Sequence, residues 1–333
     1  MRVLSWLSIY CARVSAISLV LPPEADAETV CAIADASELT RNLVNTPAQD
    51  MGPVGLEKAF RDLASQFDAT VRVTEGNALV EQNFPMIHAV GRAASEAPRL
   101  LELEWGHPDH PRVSVIGKGV CFDSGGLDLK AAKFMRLRKK ERGGGANAMG
   151  LAHMSMATDL PVRLHLLVPA VENAVSAGAF RPGDVISSRK GLKVEIDNTD
   201  AEGRLVLGDA LTRACEDKPD LVLDFATLTG AARVALGPEV MPFYTDDDDL
   251  AAALSGAGAV VDAPSAPAAG AALSGCGAVA GAPAAPANRA AAARGAGAAS
   301  CSDQPLGEAL LPEALLPEAL LPSRAPARQR RRS

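Results

Sequence analysis

Apolar positions along the chain follow two periods in turn. From Glu28 to Val44 they fall at Val30, Ile33, Ala34, Leu39, Leu43 and Val44, one face of a helix that Thr46-Pro47 would end. Pro53 to Phe67 passes the same test, with proline tolerated in its first turn. Gly145 to Ala157, the run through Leu207, Ala210, Leu211 and Ala214, and Ala231 to Leu236 also read as helices. Strands are predicted at 17–21, ended by Pro22-Pro23, and at Thr70 to Val73, Arg112 to Ile116, Val162 to Val168, Lys193 to Ile196 and Leu221 to Phe225. Phe84 to Arg92 is a continuous apolar run that periodicity leaves open between helix start and loop. Strands separated by helices predict an α/β fold, a mixed sheet flanked by helices.

At Ser255 the pattern stops. Ser255 to Ser302 is rich in Ala, Gly and Pro without a period, and Leu306 to Leu321 repeats a Pro-Glu-Ala-Leu-Leu unit. Neither stretch has the large mixed side chains of a packed core. Three segments follow: an N-terminal region or linker at 1–24, an α/β domain at 25–254, and a low-complexity, disordered tail at 255–333. The tail's alanines explain how a chain with 48% hydrophobic residues has only 4% aromatic ones. A formal charge of -7 excludes a general nucleic-acid binder, which needs a basic surface. Arg328 to Arg332 reads as a solvated terminus. Cys11, Cys31, Cys121, Cys215, Cys276 and Cys301 show no paired spacing, which fits thiols in a reducing, cytoplasmic compartment. The apolar run after Arg2 is interrupted at Arg13, and nothing reaches the roughly 20 residues of a membrane span.

Two stretches carry chemistry. Asn198-Thr199-Asp200-Ala201-Glu202-Gly203-Arg204 sets two acids and an arginine at a strand-to-helix turn, where backbone N–H groups of a helix starting near Arg204 favour an anion. Gly117-Lys118-Gly119-Val120-Cys121-Phe122-Asp123-Ser124-Gly125-Gly126 flanks a lysine and an aspartate with glycines, a sign of close backbone approach. With Glu141 in a basic segment nearby, four carboxylates brought together would repel unless cations neutralised them, and two divalent ions would balance them. Carboxylate oxygens suit magnesium, manganese or zinc. Two such ions would activate a water and polarise a carbonyl, with Lys130 and Arg204 beside the developing oxyanion. His107 and His110 lie between prolines without an acid partner, and Cys121 has no paired histidine; both read as bystanders.

These two stretches, with Asn45-Thr46-Pro47, Glu172-Asn173-Ala174-Val175, Phe180-Arg181-Pro182-Gly183-Asp184 and Asp224-Phe225-Ala226-Thr227-Leu228-Thr229-Gly230, resemble the leucyl (cytosol) aminopeptidase family of two-metal exopeptidases. The resemblance runs from about Leu19 to Leu254. It implies metal ligands at Lys118, Asp123, Glu141, Asp200 and Glu202, and a catalytic pair, Lys130 and Arg204, with bicarbonate near the arginine. It also implies substrate contacts at Asn198, Thr227, Leu228 and Gly230. The reaction implied is release of N-terminal residues, often leucine, from peptides by a homo-oligomer, hexameric in that family. The chain departs from the pattern between Ala131 and Arg142. Glu141 stands where the family has aspartate, and Arg138 where it has a pocket-lining methionine, a change expected to weaken both leucine and metal binding unless the arginine turns outward. The competing reading is a shortened, non-catalytic derivative serving as an interaction or assembly module.

Overall fold

The computed structural model of the protein describes residues 21–23, 25–237, 239–260, 265–267 and 280–281. The strand expected at 17–21, the basic terminus and most of the expected disordered tail therefore lie outside the described residues. In chain order the elements are α1 (Ala27–Asn45), α2 (Pro53–Ser65), β1 (Thr70–Glu75), α3 (Asn77–Glu81), α4 (Pro85–Gly91), β2 (Arg99–Trp105), β3 (Arg112–Gly117), β4 (Gly119–Asp123), α5 (Ala132–Met135), α6 (Gly143–Ala157) and β5 (Arg163–Asn173). They continue with β6 (Val185–Ser187), β7 (Lys193–Glu195), α7 (Glu202–Glu216), β8 (Leu221–Phe225), α8 (Ala231–Leu236), β9 (Met241–Phe243), α9 (Asp248–Val260), β10 (Ser265–Pro267) and β11 (Ala280–Gly281). Among the described residues no helix is long and apolar enough to cross a membrane.

The main sheet runs β1-β2-β5-β3-β8-β11, with β4 also on β5. β2 pairs antiparallel with β1 on one side and β5 on the other, while β3 and β4 join β5, and β8 joins β3, in parallel. The mixed α/β sheet follows from two-sided burial. Along β5, Leu164, Leu166 and Val168 enter one core with Phe60 of α2 and Met149 of α6, whereas Leu167 and Val171 enter the other with Ile87 of α4 and Val206 of α7. Helices thus cover both faces, as a largely apolar central strand requires. α1 begins at Asp26, whose carboxylate accepts the Glu28 and Thr29 N–H groups. α9 carries the helical pattern past the compositional change at Ser255 to Val260.

Among the elements that the sequence pattern did not assign, two show long-range contacts at work. The open run at 84–92 is helical over Pro85–Gly91 because Asp209 of α7 accepts the Met86 and Ile87 N–H groups, at 2.8 and 3.4 Å, a cap supplied from 123 residues away. β2 was not foreseen. Its Glu102 breaks the apolar pattern, yet it is buried in a network with Arg72 of β1 (2.6 Å), Arg213 of α7 (3.1 Å) and His165 of β5 (3.3 Å). Burial alone would raise its pKa; the hydrogen bonds from His165 and Arg72 and the charges of Arg72 and Arg213 outweigh that and hold it down at about 2. A depressed carboxylate contributes stability that is present above its unfolded pKa near 4.5 and is lost as pH falls towards about 2. A contribution on the order of 3 kcal/mol is therefore expected to vanish across that window. Urea unfolding at successive pH values should show Glu102→Gln converging on the unaltered protein in acid; a constant difference would show that the Glu102 charge is not the source.

Candidate metal centre

β5 pairs first with β3, up to Ile116↔Leu167, and then with β4, from Gly119↔Ala170 to Asp123↔Asn173. β8 follows β3 only to Gly117↔Phe225. Lys118 occupies the break between β3 and β4, where β8 leaves the sheet. Its N–H donates to the Phe225 carbonyl (2.9 Å) and its carbonyl accepts the Gly145 N–H (2.7 Å), so the backbone fixes it on both sides. The glycines opening α6 permit this approach: a Cβ on Gly144 would overlap the Phe225 carbonyl. Packing, not phosphate binding, explains that glycine run.

Asp123 ends β4, and Gly125 and Gly126, at φ of 93° and 66°, turn the chain so that Lys130 returns over the site. The acids at 200 and 202 arrive differently from the sequence expectation. They follow β7, which pairs with β6 in a separate two-stranded sheet rather than in the main one. A 3-10 turn over Thr199–Ala201 then leads directly into α7, whose first residue is Glu202. Asn198 accepts the Asp200 N–H at 2.7 Å, a turn cap.

Asp123, Asp200 and Glu202 each bring a carboxylate oxygen within 4.8 Å of the others. Asp123 and Glu202 are buried, and the Asp200 side chain is 35% exposed. Lys118 Nζ contacts Glu202 Oε1 at 2.8 Å and Glu141 Oε2 at 3.0 Å; Lys130 Nζ contacts Asp123 Oδ2 at 2.9 Å and also Asp200. Burial favours neutral Lys118, but the charges of Glu202 and Glu141 outweigh it and raise its pKa. Burial likewise raises Glu202, against Lys118 and with the help of Asp123 and Glu141. The Lys118 shift thus follows from its carboxylate neighbours, and the Glu202 shift first from burial. Glu202 Oε1 is buried with Lys118 Nζ as its contact at 2.8 Å. Three carboxylates converging to within 4.8 Å fit a divalent ion with oxygen ligands.

Asn173 and Thr199, which the motifs quoted but did not single out, and Asp128, which no motif included, hold this arrangement. Buried Asn173 donates to Asp123 Oδ1 (2.9 Å) and to the Thr199 carbonyl (3.0 Å). Thr199 donates from its hydroxyl to the Gly125 carbonyl (2.6 Å), and Asp128 accepts the Thr199 N–H (2.7 Å). They tie the 123–130 loop to the 198–202 turn. The signal for Asn173 was the Glu172-Asn173-Ala174-Val175 run, whose first two residues end β5 opposite Phe122 and Asp123 of β4.

A family profile described as the cytosol aminopeptidase catalytic domain matches residues 38–266. The chain belongs to the cytosol aminopeptidase family. Peptidase B of Yersinia pestis (strain Pestoides F) is 45% identical over 221 residues, 64% of this chain and 51% of that protein. The crystal structure of the cytosol aminopeptidase from Coxiella burnetii is 48% identical with a TM-score of 0.73, covering 78% of this chain and 56% of the other. The bottromycin maturation enzyme BotP in complex with Mn is 38% identical at a TM-score of 0.68, covering 72% and 53%. This chain spans about half the length of the curated relatives it matches.

Within this cytosol aminopeptidase fold the other expected site residues are spread more widely. Glu141 is buried but outside the three-carboxylate cluster. Arg138 does not turn outward: its Nη1 lies 3.1 Å from Glu141 Oε1. Thr227 donates to Glu141 Oε2 at 3.2 Å, and Leu228 packs where a side chain at Gly203 would stand. Arg204 is exposed in the first turn of α7 and makes no ion pair among the described residues, and Gly230 is exposed. A second group, Glu104, His165 and Asp217, is close enough for a metal. Arg112 and Arg213 each lie 2.7 Å from Asp217 there.

Proposed function

We propose that the protein removes N-terminal amino acids, leucine by preference, from peptides in a metal-dependent reaction. The observation that carries this is the Asp123–Asp200–Glu202 cluster with Lys130 held against it. These carboxylates would hold a divalent ion, manganese or zinc with magnesium as the third possibility, which supplies Lewis acidity to a water and a peptide carbonyl. Asn173 and the Thr199–Asp128 pair fix the carboxylates. Lys130 keeps an ammonium where oxyanion charge develops. Arg204, at the N-terminal turn of α7, marks the place for bicarbonate or another small anion. The acid-rich setting favours a substrate's free α-amino group. Asn198, Thr227, Leu228 and Gly230 would border the peptide. The two-ion form implied by the resemblance requires Glu141 as a ligand, and Glu141 is engaged otherwise.

A homo-oligomer and a cytoplasmic setting belong to the same proposal. The test uses the purified full chain dialysed against manganese or zinc. Leucine should be released from a leucyl amide but not from its N-acetylated counterpart. Absence of both bound metal and turnover would leave the non-catalytic derivative as the reading.

A further inference from the structure

Glu141 and the three clustered carboxylates have different surroundings. Glu141 lies on the 3-10 turn Arg138–Arg142. Its Oε1 accepts from Arg138 Nη1 at 3.1 Å and Lys140 Nζ at 2.5 Å; its Oε2 accepts from Lys118 Nζ at 3.0 Å and Thr227 Oγ1 at 3.2 Å. A carboxylate offers about four lone-pair sites, and here side chains of the same fold engage every one. Arg138 is pinned at a second point, Nε to the Phe134 carbonyl at 2.7 Å, with its side chain only 20% exposed. An ion arriving at Glu141 would have to displace donors and sit beside three positive charges, those of Lys118, Arg138 and Lys140. Like charges at such range oppose one another strongly where water is scarce. Glu202 instead has Lys118 Nζ on Oε1 at 2.8 Å and brings a carboxylate oxygen within 4.8 Å of those of Asp123 and Asp200.

Charge leads to the same place. Asp123, Glu141, Asp200 and Glu202 are four carboxylates, and Lys118, Lys130, Arg138 and Lys140 are four cations in contact with them. The sequence argument that two divalent ions are needed for balance no longer holds once Arg138 and Lys140 turn inward.

We propose that the Arg138 guanidinium stands in for one of the two expected ions: this chain binds a single divalent cation through Asp123, Asp200 and Glu202, and Arg138, with Lys140, closes the Glu141 position to a second. This rests on the metal-dependent reading above. A single centre retains Lewis acidity at the Lys130 side of the site and has a permanent cation on the Glu141 side.

The experiment is metal content after equilibrium dialysis against manganese, with electron paramagnetic resonance of the bound ion, on the unaltered full chain, Arg138→Met and Arg138→Met/Lys140→Met. The unaltered chain should hold one manganese with the spectrum of an isolated ion. The variants should bind a second, with affinity for it raised roughly tenfold or more, about 1.4 kcal/mol, and a spectrum of two coupled ions. Two coupled ions in the unaltered chain would overturn the proposal while leaving the metal-dependent reading intact. No ion in the unaltered chain would overturn that reading itself. A double variant that keeps its circular dichroism yet binds only one ion would remove Arg138 from the role; should the variants not fold, the content and spectrum of the unaltered chain decide.

Discussion

Glu202→Gln is expected to abolish manganese binding and lower leucine release by about three orders of magnitude, on the order of 4 kcal/mol of transition-state stabilisation. The protein should meanwhile be no less stable. Glu202 is buried among Asp123 and Glu141, and its raised pKa shows that ionising it there is unfavourable. An amide relieves that repulsion, and Lys118 keeps Glu141 at 3.0 Å as its partner. Loss of function with stability kept is the mark of a group retained for chemistry at some cost to the fold. Calorimetric metal titration beside a thermal unfolding curve checks both halves. A variant that still binds manganese like the original would end the assignment of Glu202 as a ligand, and one that unfolds readily would make its role structural.

That acids from both motifs meet was visible in the sequence because each lies within a local turn. The glycines around 117–126 and the strand-to-helix pattern around 198–204 are short-range signals, and in the structure both stretches turn at the site, the second capped by Asn198. What was not visible is the set of contacts made across long separations. Glu102 looked like a polar break in Leu100-Leu101-Glu102-Leu103 because its partners, Arg72, His165 and Arg213, come from two other strands and a helix. The helix at Pro85–Gly91 could not be told from a loop because its N-terminal donors are met by Asp209, whose burial pushes its pKa to about 6 despite those bonds. The inward course of Arg138 belongs to the same class. A run of Arg138-Lys139-Lys140-Glu141-Arg142 reads as a solvated basic segment. Only the 3-10 turn divides it, sending Arg138 and Lys140 to Glu141, Lys139 to the Asn45 carbonyl, and Arg142 into the core.

Arg142→Ala is expected to destabilise the protein by roughly 3–5 kcal/mol, the range for stripping a buried charged group of its role. Arg142 is fully buried, yet it makes no ion pair among the described residues. Burial lowers its pKa, but a guanidinium stays charged well past neutrality. Its partners are backbone carbonyls: Leu43 at 2.6 Å, Met51 at 3.0 Å, Cys121 at 3.1 Å, Val44 at 3.4 Å, and Thr46. Leu43 and Val44 lie in the last turn of α1, where carbonyls have no intrahelical donor. A cation there meets both the unpaired acceptors and the negative end of the helix dipole. The same side chain ties α1 to the loop before α2 and to β4, two residues before Asp123. Alanine would leave five acceptors without this donor, each worth about 1–3 kcal/mol if stranded from water and less where water reaches it. Arg142→Met restores volume but supplies no donor, so it should fall between alanine and arginine. Urea midpoints of the three proteins measure this order. A methionine variant more stable than the original would show that desolvating the guanidinium outweighs its hydrogen bonds, and that α1 can end without it.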